Sequence, residues 1–203
     1  MFYSPFKIKK MKVEASIVSL GSWNSRIFTP TWVSDKVFAM PEGESMNVGL
    51  NDQQLSLTYV WKSIQFLITD NRIDFKTDQC TSEILTLMEQ CYLRLSEYLP
   101  YTPITAVGFN LDFHFTQDEF QQTTVGKFQR PQSVGEYNCN MLTYSANKEG
   151  ATRSFVIQKT AEGGDIRVNF HYPRPKRLPA VGTAFELIAI EMKQFLGYEF
   201  SIK

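Results

Sequence analysis

Two stretches of this chain alternate apolar and polar residues with a period of two, and that period leaves little choice of local structure. Val107, Phe109, Leu111, Phe113 and Phe115 alternate with Gly108, Asn110, Asp112 and His114. Ile166, Val168, Phe170 and Tyr172 alternate with Asp165, Arg167, Asn169 and His171. Successive side chains of a strand point to opposite faces, so each stretch is expected as a strand with one buried and one wet face.

Further strands follow from the same rule. Ile64, Phe66 and Ile68 alternate and lead through Asp70-Asn71 into Ile73 and Phe75, a hairpin pattern. Arg153–Lys159 faces Asp165–Tyr172 across Ala161-Glu162-Gly163-Gly164, and Tyr137–Ser145 faces Arg153–Lys159 across Asn147-Lys148-Glu149-Gly150. Val13–Leu20 and Leu55–Tyr59 are additional strand candidates.

Two helices are expected, at about 81–98 and 184–196. In the first, Ile84, Met88, Cys91, Leu95 and Tyr98 recur at helical steps, with Asp78, Thr81 and Ser82 as candidate caps and Pro100 as the stop. In the second, Thr183 and Glu186 have capping-box spacing, Phe185, Ile188, Ala189 and Met192 form the stripe, and Gly197 stands where a terminating glycine belongs. The fold class is therefore α+β: a mainly antiparallel sheet with both helices packed on one face. Residues 1–203 are read as a single domain, with strand–hairpin–helix order at 11–100 and strand–meander–helix order at 101–203 suggesting two pseudo-repeat halves. Residues 21–30, 40–51 and 117–134 are expected as loops.

Composition narrows function mainly by exclusion. Lys plus Arg and Asp plus Glu both number 21, so the formal net charge is zero and a phosphate-dominated nucleic-acid binder or a polybasic membrane surface is disfavoured. No apolar run reaches membrane-spanning length. At the N-terminus Lys7, Lys9 and Lys10 follow an aromatic stretch, the reverse of a signal peptide's order. The three cysteines, Cys80, Cys91 and Cys139, form no C-x-x-C pair, and His114 and His171 lie near none of them, so reduced thiols, a cytoplasmic location and no metal site or cofactor are expected. Cys80, near a helix start, is the one thiol whose pKa the helix dipole could lower. Glycine-rich phosphate loops and a nucleophile elbow are absent.

Three function classes remain. Aromatic-rich loops and strands with free edges favour a non-enzymatic protein-interaction or assembly subunit, self-association included; Trp23 with Arg26 is a contact hot spot if residues 21–32 are exposed, and Trp23 is otherwise expected in the core. A nucleic-acid-binding module would use the basic run at 173–179, with Arg174, Lys176 and Arg177 aided by Arg167. A small hydrolase or ligand-binding protein would require Asp112, His114 and His171 to meet on one polar face, because a carboxylate and an imidazole are the minimum for acid–base work.

Overall fold

The computed structural model describes residues 12–51, 56–122, 141–173 and 183–196. Among them the strands form one nine-stranded antiparallel sheet, and the long N-terminal strand β1 (Lys12–Gly21) stands at its middle. Strands β2 (Asn47–Asn51), β3 (Ser56–Trp61), β4 (Ile64–Ile68) and β5 (Arg72–Thr77) follow in sequence, and β6 (Ile104–Thr116), β7 (Met141–Lys148), β8 (Ala151–Lys159) and β9 (Gly163–Pro173) complete the set. Across the sheet the order is β2-β3-β4-β5-β1-β6-β9-β8-β7. Each strand thus runs beside its hairpin neighbour, except that β1 closes onto β5 and β6, and β6 closes onto β9.

Short helical elements join the strands. Thr29 Oγ1 accepts from Trp32 N at 3.3 Å and caps α1 (Pro30–Trp32), which has proline in its first turn and runs on into a π-helical segment, Val33–Phe38. Ala39 ends the segment in the left-handed region (φ 48), and Arg94 caps its open end, donating to the carbonyls of Val37 (2.8 Å) and Phe38 (3.1 Å). The first long helix is α2 (Ser82–Tyr98), capped by Thr81, whose Oγ1 accepts from Ile84 N at 3.2 Å. Next come α3 (Gln117–Gln122) and α4 (Ala184–Leu196).

The expected loops need correcting. Residues 40–51 include the edge strand β2, and 117–134 begins with α3. The strand read at Tyr137–Ser145 is β7 at Met141–Lys148, and residues 137–140 lie outside the described ones. Alternation failed for β2 because its sequence, NVGLN, holds only two apolar residues among turn-forming Asn and Gly.

Helices α2 and α4 pack on the same side of the sheet, α2 on β1 and β5, α4 on β6 and β9. Beneath them lies the core. Phe66 stacks on Phe75 with ring centroids 4.4 Å apart, and edge-to-face contacts continue through Tyr92, Phe109 and Phe185. Tyr92 comes from α2 and Phe185 from α4, so one aromatic column joins both helices to the sheet; each such ring contributes roughly 2–3 kcal/mol by leaving water. At the far end Gly164 has no side chain because the Phe120 ring of α3 lies where a Cβ would stand, 2.4 Å from that position.

Candidate functional site

The opposite side of the sheet carries no described helix, and cross-strand register fixes what it displays. Ser16 pairs with Lys76 on one side and Asn110 on the other; Asn110 pairs with Asn169, and Asn169 with Ser154. Gln65 stands beyond Lys76. One row across the strands therefore presents Gln65, Lys76, Ser16, Asn110, Asn169 and Ser154. Two residues along, Glu14 pairs with Asp112, and Asp112 with Arg167. Two residues the other way, Asp74 pairs with Val18, Val18 with Gly108, and Gly108 with His171. Since strand neighbours point to opposite faces, these residues share one surface. No Phe, Tyr or Trp stands on that face in any of the nine described strands.

The face is concave over its middle. A depression of about 760 Å³ spans β4, β5, β1, β6 and β9, with Gln65, Lys76, Ser16, Asn110, Asp112 and Arg167 among its walls. Ser16 and Asn110 of its lining belong to a directed relay: Asn169 Nδ2 donates to Asn110 Oδ1, and Asn110 Nδ2 donates to Ser16 Oγ at 3.1 Å. Gly108 makes room for it, because a Cβ there would come within 3.1 Å of Asn169 Nδ2.

Charges on this face are paired locally. Asp74 is 3 % exposed, enclosed by Arg72 Nε at 2.8 Å and Lys76 Nζ at 3.8 Å. Glu14 and Asp112 are like charges directly opposite one another, a destabilising pair. Each is offset by its own cation: Lys12 Nζ lies 2.6 Å from Glu14, and Arg167 Nε lies 2.5 Å from Asp112. The hydrogen bond from Lys12 holds the Glu14 carboxyl below the usual carboxylate range.

The expected site residues fare unequally. Asp112 and Arg167 meet as an ion pair in the depression. His114 Nδ1 lies 2.9 Å from Asp165 Oδ1, so its carboxylate partner is Asp165 and not Asp112. His171 stands opposite Gly108, six positions along β6 from His114, or roughly 20 Å at the rise of a strand. The two imidazoles therefore do not meet. Trp23 is 4 % exposed while Arg26 is exposed, so the pair forms no joint surface patch; the indole belongs to the core. Arg174, Lys176, Arg177 and Cys139 lie outside the described residues.

The remaining thiols are poor nucleophiles. Burial pushes Cys80 up to about 12, reinforced by the carboxylates of Asp78 and Glu14, which corrects the expectation that a helix start lowers it. Burial also pushes Cys91 up to about 11. Among the described residues no group of three or more His, Cys, Asp or Glu is placed to hold a metal ion. No described helix is long and apolar enough to cross a membrane.

Sequence reasoning named the wet faces of β6 and β9 but missed the contributions of β1, β4 and β5: Glu14, Ser16, Gln65, Arg72 and Lys76. Their signal was present in the alternation of Glu14 and Ser16 with Val13, Ala15 and Ile17, and of Arg72, Asp74 and Lys76 with Ile73 and Phe75. No family model matches this chain, and no curated protein matches it.

Proposed function

We propose that this chain is a non-enzymatic interaction subunit that receives a protein partner on the uncovered face of its sheet. The observation that carries the reading is the polar depression over β4, β5, β1, β6 and β9, opposite the helix-covered side. Its chemistry suits a polypeptide. The Ser16–Asn110–Asn169 relay ends in a hydroxyl proton at Ser16 and a carbonyl oxygen at Asn169, the donor and acceptor that peptide groups complement. Paired charges of both signs favour selectivity over bulk attraction.

Other classes draw less support. Recognition of single-stranded nucleic acid relies on aromatic stacking, which this face lacks, and its cations are already engaged by Asp74 and Asp112. A hydrolase built on Asp112, His114 and His171 lacks the required meeting of groups. We further read the chain as two related halves, 11–100 and 101–203. Strand order supports this: outward from the central β1/β6 pair, β5-β4-β3 on one side corresponds to β9-β8-β7 on the other, and each half ends in a long helix. Free thiols at Cys80 and Cys91 fit a cytoplasmic setting.

The test is affinity purification of the full chain from its own cells beside two variants. Gln65→Arg alters the depression at an exposed position, and Glu162→Arg alters the exposed β8–β9 turn. The reading expects a protein that is lost with the first variant and retained with the second. Retention by both, or recovery of nucleic acid instead, contradicts it.

A further inference from the structure

We propose that β2 is a docking edge for a second copy of this chain, paired antiparallel about Gly49. β2 is an outer strand of the sheet, and its far side meets no strand among the described residues. A sheet edge offers unpaired backbone N–H and C=O groups, which natural proteins protect with charge, proline or a bulge. β2 is short but carries no charge, proline or bulge: its five residues are Asn47-Val48-Gly49-Leu50-Asn51, and its register with β3 is unbroken.

The side chains say what would cover it. Val48 is 48 % exposed and Leu50 66 % exposed, on the helix side, beside Tyr59 and Leu57 of β3. An occupant must be extended, and it must bring apolar groups at alternate positions. β2 meets both conditions itself. With Gly49 opposite Gly49 of the second copy, Val48 faces Leu50 of that copy and Asn47 faces its Asn51. Every pair is chemically matched and no like charges oppose, so the contact is isologous and closes as a twofold dimer. The apolar stripe of Leu57 and Tyr59 then continues through both copies. A strand this short buries little surface, so the dimer is reversible and forms in the micromolar range or above.

Sedimentation of the full chain across that range should show a monomer–dimer equilibrium. Leu50→Lys should abolish it without altering the circular dichroism, because Leu50 is exposed in the monomer. Gly49→Cys, in a Cys139→Ser background, supplies the second readout: an added Cβ meets only Thr58 Cβ, at 4.0 Å, so it fits. That cysteine faces itself across the twofold and should cross-link on oxidation. Val48→Cys should not, because two residues of stagger take the sulfurs beyond disulfide reach. A chain that sediments as a monomer throughout overturns the proposal and leaves the edge to a strand of another protein. A dimer that survives Leu50→Lys and fails to cross-link through position 49 overturns it equally.

Discussion

The buried carboxylate of Glu89, on α2, accepts a hydrogen bond from the backbone N–H of Phe185 at the start of α4, at 3.2 Å. The first N–H groups of a helix have no partner within it, and the positive end of the helix favours an anion. A residue of one helix thus caps the other. Glu89 is 4 % exposed, so replacing it with Ala strands that amide away from water. Glu89→Ala should cost about 2–3 kcal/mol of unfolding free energy in urea, and Glu89→Gln, which keeps an acceptor oxygen, distinctly less. Hydrogen exchange should quicken first at the start of α4.

A second polar anchor holds α4 further along. Arg153, 4 % exposed on β8, donates to Glu191 of α4 and to Glu149, and its guanidinium lies 4.6 Å from the centre of the Phe170 ring. Removing Arg153 takes the nearer cation from Glu191 and leaves it only Lys148, 3.6 Å away, whereas an apolar replacement of both partners of a buried pair often restores stability. Arg153→Ala should therefore cost roughly 3 kcal/mol or more, and Arg153→Met with Glu191→Leu should recover most of it. Urea titration of the two variants checks both.

The turn between β3 and β4 is conformationally expensive. Lys62 (φ 44) and Ser63 (φ 67) both occupy the left-handed region that Asn-Gly fills at least cost. Ser63 also borders the depression. Lys62→Asn with Ser63→Gly should raise stability by about 1 kcal/mol, the scale of the steric penalty for one such residue. A lowered melting temperature would show that the Lys62 contacts, 4.6 Å from the Trp61 ring centre and 3.4 Å from Glu44, outweigh the strain.

The thiols give a pH dependence with a definite sign. Cys80 and Cys91 are held near 12 and 11 by burial, above their unfolded value near 9. Between those limits the folded chain keeps protons that the unfolded chain releases, so stability falls as pH rises. This contribution is complete below pH 9 and is lost progressively up to about 12. Both thiols should resist iodoacetamide in the folded protein at pH 8 and react once urea unfolds it, read by mass spectrometry of the labelled peptides.

Much of this architecture was legible because local pattern and burial agree. The wet residues of β6 and β9 were named from alternation alone, and Thr81 was among the caps read for α2. What escaped was non-local. Nothing near residues 12–21 says that β1 lies between β5 and β6, because that placement arises from closing strands more than fifty residues apart. Nothing in the local sequence marks Glu89 and Arg153 as buried, since their partners, Phe185 and Glu191, lie far along the chain. Trp23 was legible as core from its residue type alone, since large aromatics are usually inside, and it is 4 % exposed. The pairing of His114 with Asp165 instead of Asp112 follows from register, which alternation does not determine.

Site-specific photo-crosslinking probes the uncovered face of the sheet most directly. A benzophenone amino acid would replace Gln65, exposed on the rim of the depression, or Ile190, 48 % exposed on α4, in the full chain within its own cells. Position 65 should give a discrete protein adduct and position 190 none. An adduct from position 190 alone, adducts of equal yield from both, or capture of nucleic acid at position 65 would contradict the proposed function.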